Sequence, residues 1–210
     1  MTPRPIMDAG PGINFFSLNK ERLLFATVGP IAVPGIVHEE IGKKARRDHR
    51  FAAAERVLAK LPEKYLQVLS DDITDELSTV VSRLAGMPME QRVRSPKDLG
   101  EMMVVAHAVV AAEAGATMRV LIDDGGGRKL AAGEAKRLDR LRDAGRSVGR
   151  LQLISTMTVL RNAAGKHELP DRQSMRDLYG RLRQLDDGLL PLDQTDLMTL
   201  RCWSQPRDAQ

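Results

Sequence analysis

Cysteine and aromatic residues are both scarce in this chain. Cys202 is the single cysteine among 210 residues, which excludes an intrachain disulfide and a cysteine-rich zinc site. Aromatic residues make up 3% of the sequence, as one Trp, two Tyr and four Phe. Proteins that bind single-stranded nucleic acid by stacking bases on aromatic platforms need several exposed rings. The composition therefore argues against that class of protein.

A long apolar run is absent as well. The most apolar stretch, residues 102–116, contains His107 and Glu113 and is too short to span a bilayer. Residues 1–8 lack the apolar core of a secretory signal,. Together with the single cysteine, these features lead us to expect a cytoplasmic protein that does not associate with a membrane.

The remaining composition indicates a folded, mildly basic chain. Hydrophobic residues make up 42% of the sequence, enough to bury a core. The formal net charge is +4, which is compatible with a polyanionic partner without requiring one. Many basic residues fall between positions 128 and 150, interspersed with acidic ones. Such a pattern fits either a solvated, salt-bridged helix or a rim that follows phosphates.

Short apolar segments alternate with amphipathic ones along the chain. We predict strands at Pro5–Met7, Ile31–Val33, Tyr65–Leu69, Met118–Ile122 and Gln152–Ser155. Helices are predicted from Ile13 onward and at Gly35–Lys44, Asp48–Leu61, Asp72–Leu84, Leu99–Ala114, Arg128–Ala144, Thr156–Ala164 and Asp171–Leu185. Tight turns are expected at Ala9–Gly12 and Asp123–Gly127, and a helix start at Ser95–Asp98, where the Ser and Asp side chains can accept hydrogen bonds from free N–H groups,. The alternation predicts an α/β fold with a central, mostly parallel sheet flanked by helices.

Acidic residues follow two of the predicted strands. Asp8 ends the first strand, and the pair Asp123 and Asp124 ends the fourth; ligands bind at this edge of an open α/β sheet. Glu40 and Glu101 lie on helices that could lean over the same edge. Converging carboxylates repel one another unless protons or cations neutralise them. Oxygen-only ligands suit Mg²⁺ or Mn²⁺, ions that assist hydrolysis of phosphate esters.

Each of these acids also has a purely structural explanation. Asp8 is an ordinary helix-capping residue. Glu39 and Glu40 fit a solvated helix face, and Glu101 fits a partner for the positive end of its helix. Asp123-Asp124-Gly125 fits a simple turn. It is their joint occurrence in this order that favours a metal site.

The order of the acidic motifs resembles that of PIN-domain proteins. The resemblance rests on Ile6-Met-Asp-Ala-Gly-Pro-Gly12, Val33-Pro-Gly-Ile-Val-His-Glu-Glu-Ile41, Gly100-Glu101 before an Ala-rich helix, and Leu121-Ile-Asp-Asp-Gly125. The chain looks most similar to the bacterial branch with Asp-x-Gly-Pro after its first strand, related to the VapC-type toxin ribonucleases. It implies a three-layer fold, with a nuclease domain at residues 1–150, a helical segment at 151–200 packed on it, and a loose tail at 201–210.

The resemblance also implies a set of metal ligands and a chemistry. Asp8, Glu40, Glu101 and Asp124 match the family's acids, with Glu39 and Asp123 as adjacent alternatives for the second and the last ligand. They would hold one or two Mg²⁺ or Mn²⁺ ions for hydrolysis of RNA. The family further implies a possible cognate antitoxin and a homodimer. Many relatives carry Ser, Thr or Asn two residues after the first Asp. Gly10 stands there in this chain, and Asn14 lies further on, so the groups that hold the substrate differ.

Arg128 and Lys129 directly follow the last acidic turn, and we predict that they contact substrate phosphates.

Two other enzyme classes fit the sequence less well. A Rossmann cofactor domain would need a third glycine where Phe15 stands, and an aspartyl phosphatase would need a second Asp where Gly10 stands. The alternative that we retain is a non-catalytic PIN-like module that binds nucleic acid or protein, in which the acids do not converge.

Overall fold

The computed structural model describes residues 3–204. Its strands are β1 (Ile6–Met7), β2 (Ile31–Pro34), β3 (Leu66–Leu69), β4 (Thr117–Leu121) and β5 (Arg150–Ile154). They form one five-stranded sheet in the order β3-β2-β1-β4-β5, and every pair of neighbours is parallel. The five predicted strands are thus confirmed, with small shifts at their ends, and the sheet is entirely parallel.

Ten α-helices connect and follow the strands in the described part of the chain. They are α1 (Ala9–Ser17), α2 (Glu21–Val28), α3 (Gly35–Arg47), α4 (Ala52–Lys60), α5 (Asp75–Ala85), α6 (Met89–Arg92), α7 (Leu99–Glu113), α8 (Gly125–Asp143), α9 (Thr156–Ala163) and α10 (Arg172–Leu185). None of the helices within residues 3–204 has the length and apolar character needed to cross a membrane.

The strand order places helices on both faces of the sheet. The connections β1 to β2 and β2 to β3 run in one direction across the sheet, whereas β3 to β4 and β4 to β5 run in the other. Because parallel crossovers are right-handed, the two sets of helices cover opposite faces. α7 contacts β1, β2, β4 and β5 and is covered by α5 and α8, while α1, α3 and α4 contact one another. The result is the predicted α/β fold with three layers.

α7 is buried within the hydrophobic core. Its residues Met103, Val104, Ala108 and Val109 are at most 1% exposed. Such burial on nearly all sides is expected of a helix whose sequence is apolar all round. The central position of α7 means that the first turn of this helix, which carries Glu101, is held firmly against the sheet.

Both glycine-rich turns belong to helices, contrary to our expectation. α1 begins at Ala9, so Gly10, Pro11 and Gly12 lie in its first turn, where proline needs no backbone donor. α8 begins at Gly125 rather than at Arg128. The helices therefore start directly after the acidic residues, and Asp8 and Asp124 occupy the two N-cap positions.

Several smaller features also differ from the prediction. α2 and α6 were not predicted, and the single helix expected at 48–61 is a 3-10 turn at His49–Phe51 followed by α4. Asp98 precedes α7 with a left-handed backbone (φ 55°) and makes no side-chain capping hydrogen bond. The proposed boundary at 150/151 cuts through β5, a strand of the sheet. Arg201–Trp203 forms a 3-10 turn, and the last part of the predicted loose tail, 205–210, lies outside the described residues.

Candidate functional site

The acidic residues lie where the chain reverses its direction across the sheet. From β1 the chain moves to β2 and β3, then returns to β4 on the other side of β1. The carboxyl ends of β1 and β4 therefore flank a topological switch point, the usual place for a ligand in an open α/β sheet. Asp8 follows β1, and its N–H donates to Leu121 O of β4 at 2.9 Å. Asp124 follows β4 and caps α8.

Asp8 is the buried member of the group, with 6% of its surface exposed. Burial raises the pKa of this carboxyl to about 6; the nearby N–H groups of Ala9 and Gly10 oppose the shift, and the charges of Glu40 and Asp124 add to it. A carboxylate in this setting is ionised at neutral pH only at a cost in stability. Binding a cation would remove that cost.

Close helix contacts bring Glu40 and Glu101 towards the same point. α3 and α7 meet at Gly100, where a Cβ atom would lie 2.9 Å from Glu40 Oε2. α7 and α8 meet at Gly127, where a Cβ would lie 3.2 Å from Glu101 Cβ and 2.2 Å from Ile122 Cδ1. At Gly100 a larger side chain would displace the mobile carboxylate of Glu40, and at Gly127 it would press on the Cβ atom of Glu101. The two glycines therefore leave room for the acids at these helix contacts.

The carboxyl groups of Glu101 and Asp124 lie close enough to affect each other's pKa. Burial and the negative charges of Asp124 and Asp8 raise the pKa of Glu101 to about 7, and a hydrogen bond between the Glu101 and Asp124 side chains favours its protonated form. Burial raises the pKa of Asp124. The N–H groups of Gly127 and Gly126 and the interaction with Glu101 lower it by more, so the pKa of Asp124 lies below its ordinary value. Asp124 Oδ1 accepts from Gly126 N at 2.6 Å and from Gly127 N at 3.2 Å.

These acids line one cleft of about 290 Å³, which we call the acid cleft. Its charged lining residues are Asp8, Glu40, Lys44, Asp98, Glu101 and Asp124. Asp98 and Lys44 were not predicted. The sequence indicates only a capping role for Asp98, whereas its left-handed backbone, unusual for a non-glycine residue, is often a sign of a functional site. The acid cleft thus contains five carboxylates and one ammonium group.

The donor chemistry of the acid cleft fits Mg²⁺ or Mn²⁺, because its ligands are all carboxylate oxygens. Among residues 3–204, no three His, Cys, Asp or Glu side chains are arranged so that they would hold a metal ion as they stand. Burial is the main cause of the raised pKa values of Asp8 and Glu101, and repulsion from the neighbouring carboxylates adds to it. Ionising all of these acids together is therefore unfavourable. Protons or cations must compensate their negative charge.

Asp123 is turned away from this cluster. Its Oδ1 accepts from Thr156 N at 2.9 Å and its Oδ2 from Thr156 Oγ1 at 2.6 Å, so both oxygens hold the start of α9. Burial nevertheless raises the pKa of Asp123. Of the two adjacent candidates for the last ligand, Asp124 is the one in the acid cleft, while Asp123 joins the sheet to the C-terminal helices.

Asp123→Ala should therefore destabilise the protein by about 2 kcal/mol, because it removes two hydrogen bonds to a charged acceptor and leaves the buried Thr156 donors unpaired. Thr156→Val, which removes one of the two bonds, should have a smaller effect. The measurement is the free energy of unfolding in urea. Equal stability of Asp123→Ala and the parent would contradict the anchoring role.

Glu39 and Glu40 are also distinguished. Glu39 is exposed and pairs with Lys43 Nζ at 2.8 Å one turn further along α3, which makes it a solvated helix residue. Glu40 lines the acid cleft and contributes to the raised pKa of Asp8. The structure thus favours Glu40 over its neighbour as the second acid.

The predicted phosphate contacts have different surroundings. Arg128 is half-buried, donates to Ile122 O at 3.0 Å and lines a larger cleft beside the acids. Lys129 is exposed and is not among the residues that line the clefts around the acids. Further along α8, Arg137 is paired with Glu113 and Glu134, and Arg142 with Asp139. In that part of α8, these basic residues form salt bridges, as expected of a solvated helix.

The larger cleft, of about 570 Å³, adjoins the acid cleft and shares Asp8, Gly10 and Asp124 with it. Its far wall is the segment 185–190 after α10. Asn14 Nδ2 donates to Asp186 Oδ2 at 2.8 Å, and Tyr179 Oη donates to Leu190 O at 2.7 Å, so this wall is fixed to α1 and α10. Sequence patterns gave no sign that a segment so far along the chain would border the acids.

His107 lies outside the acid cleft. Its Nε2 is 2.9 Å from Asp71 Oδ1, and Asp71 Oδ2 accepts from Ile36 N at 2.7 Å. The pair joins α7 to the start of α3, which gives His107 a structural role.

Comparisons of the chain with protein-family models, with curated proteins and with solved structures give no match. The residues of the acid cleft and the order of the motifs that contain them are therefore the basis on which a function can be proposed.

Proposed function

We propose that this protein is a divalent-metal-dependent ribonuclease that hydrolyses RNA phosphodiester bonds. The observation that carries the proposal is the convergence of four acids, distant along the chain, in one cleft at the switch point of the sheet. These acids are Asp8, Glu40, Glu101 and Asp124. The order of their motifs resembles that of PIN-domain proteins, and from this resemblance come RNA as the substrate and the toxin-type assignment.

In the proposed mechanism, the four carboxylates would hold Mg²⁺ or Mn²⁺. The bound ion would supply positive charge at the scissile phosphate and activate water as the nucleophile. Asp8 is held in place most firmly, because it is buried and its backbone N–H donates to Leu121 O of β4. Asp124 is oriented by two backbone N–H groups of α8. Glu101, whose pKa is about 7, can hold a proton near neutral pH and release it when positive charge arrives.

Arg128 has a supporting role in this scheme. It lies beside the acids on the wall of the larger cleft, and its Nη1 is bound to the carbonyl oxygen of Ile122. A guanidinium held this way keeps free N–H donors for a phosphate oxygen. It would help a polyanion approach a cleft that is otherwise strongly acidic.

The proposal predicts that hydrolysis depends on added metal. A labelled single-stranded RNA should be cut when Mg²⁺ or Mn²⁺ is present and remain intact in EDTA, because the carboxylates alone repel the phosphate and cannot activate water. Product formation is measured on denaturing gels at neutral pH. Cleavage at the same rate in EDTA, or no cleavage with either ion, would contradict it.

One observation favours a second candidate, a PIN-like module that binds nucleic acid or protein without catalysis. The pKa of Glu101 is raised to about 7, so a proton instead of a cation can neutralise part of the cluster near neutral pH. In that case the acids would bind no divalent ion at neutral pH. Calorimetric titration with Mn²⁺ separates the two candidates, since only the nuclease should bind the ion.

A further inference from the structure

One face of α3 begins at the acid cleft with Glu40 and continues with two basic residues, Lys44 and Arg47. Glu40, Lys44 and Arg47 are spaced by four and three residues, which puts them on the same side of the helix. Glu40 belongs to the acid cleft, and Lys44 lines both this cleft and the larger one. Lys44 and Arg47 together line a neighbouring groove of about 390 Å³ with Pro96 and Gly100. The groove and the acid cleft are therefore adjoining.

Lys44 and Arg47 differ from the other cations of this region in their partners. Lys43 pairs with Glu39, Arg46 with Glu55 and Arg50 with Asp48. Within residues 3–204, neither Lys44 nor Arg47 has a carboxylate oxygen at ion-pair distance.

The ammonium of Lys44 instead lies 5.1 Å from the centroid of the Phe51 ring. Phe51 is buried, at 2% exposure. A cation held over an aromatic face keeps its N–H donors available and has less conformational freedom to lose on binding. The Phe51 ring thus holds the Lys44 ammonium in position without neutralising its charge. Glu40, one turn earlier on the same face of α3, does not form an ion pair with it.

We propose that Lys44 and Arg47 form a phosphate track along which one strand of RNA reaches the acid cleft. The inference deepens the proposed function and rests on it, because it assigns the path of the substrate. The face from Glu40 to Arg47 is about 10 Å long at the ~1.5 Å rise of an α-helix. The track thus lies on α3, and its residue Lys44 lines the larger cleft together with Arg128.

The test is the binding of a short, fluorescein-labelled single-stranded oligoribonucleotide of mixed sequence, followed by fluorescence anisotropy over a series of salt concentrations. Asp8→Asn protein in Mg²⁺ serves as the background, so that cleavage does not interfere. Each phosphate contact contributes about 0.7 to the slope of log affinity against log salt for a single strand. Lys44→Ala and Arg47→Ala should each lower that slope by about this amount and weaken binding about fivefold at ~0.1 M salt.

Matched controls lie on α4. Arg56 and Lys60 are exposed and do not line the grooves around the acids. Arg56→Ala and Lys60→Ala make the same changes of charge and should leave the affinity and the slope nearly unchanged. Lys44→Arg should retain most of the affinity. Equal weakening by the α4 variants, or unchanged binding by both track variants, would overturn the track.

The two proposals can fail separately. Loss of RNA binding in the track variants, combined with full cleavage by Asp8→Asn, would support the track and reject the metal-dependent mechanism. Loss of cleavage in Asp8→Asn, with normal RNA binding by the track variants, would support the metal-dependent mechanism and reject the track. A single-stranded DNA of the same sequence shows whether the track distinguishes the two backbones; tighter binding of DNA than of RNA would reject RNA as its ligand.

Discussion

Asp8→Asn should reduce RNA hydrolysis by roughly 10³-fold, the size of effect seen when one preorganised electrostatic group is lost from an active site. The amide keeps the size of the side chain but removes the negative charge that a cation needs. Because Asp8 is buried and repelled by Glu40 and Asp124, the same change should leave the fold intact or make it more stable. Initial rates in Mg²⁺ or Mn²⁺ and the thermal midpoint by circular dichroism measure both effects.

Two neighbouring residues of α3 provide a matched control for this prediction. Glu40→Gln removes a charge from the acid cleft and should lower the rate in the same way as Asp8→Asn. Glu39→Gln makes the identical change one position earlier, on an exposed residue that pairs with Lys43, and should cut RNA at the rate of the parent. Equal rates for Asp8→Asn and the parent, or equal losses for the two glutamate variants, would contradict the assignment.

The sheet was predictable because each strand is a short apolar run between polar segments. β1 and β2 are buried along their whole length, and burial on both faces produces apolar runs that need no alternating pattern. The edge strands β3 and β5 retain exposed residues. The helix starts were less predictable. Gly10–Gly12 and Gly125–Gly127 have the composition of turns, yet they form first turns of helices. Close helix packing at both, and capping by Asp124 at the second, compensate for poor helix propensity.

The candidate site was predictable only in part. Asp8, Glu40, Glu101 and Asp124 were predicted as a set because strand ends and the order of the motifs specify which edge they share. The choice between Asp123 and Asp124 depends on which carboxylate the Thr156 donors bind, a contact between segments far apart in sequence. Lys44 was missed for a similar reason, since helical spacing from Glu40 becomes informative only once Glu40 is placed at the acid cleft.

Without divalent cations, the stability of the parent should fall as the pH rises from about 4.5 to 8. Burial raises the pKa of Asp8 from 3.8 to about 6, so between these values the folded state binds more protons than the unfolded state. Stability therefore decreases with pH up to the folded-state pKa and is constant above it. For Asp8 the decrease is roughly 2 kcal/mol over this range. Glu101, with a pKa of about 7, extends the decrease towards neutral pH.

The measurement is urea unfolding in EDTA at both pH values, compared with Asp8→Asn, because the amide does not titrate and the difference isolates this group from all others. The variant should show the smaller loss. Mg²⁺ or Mn²⁺ should then stabilise the parent by about 2.7 kcal/mol at a hundredfold excess over its dissociation constant, and less at low pH, where protons compete for the carboxylates. A parent that loses no more stability than Asp8→Asn, and gains none from either ion, would mean that the acids of the cleft do not act as one charged cluster.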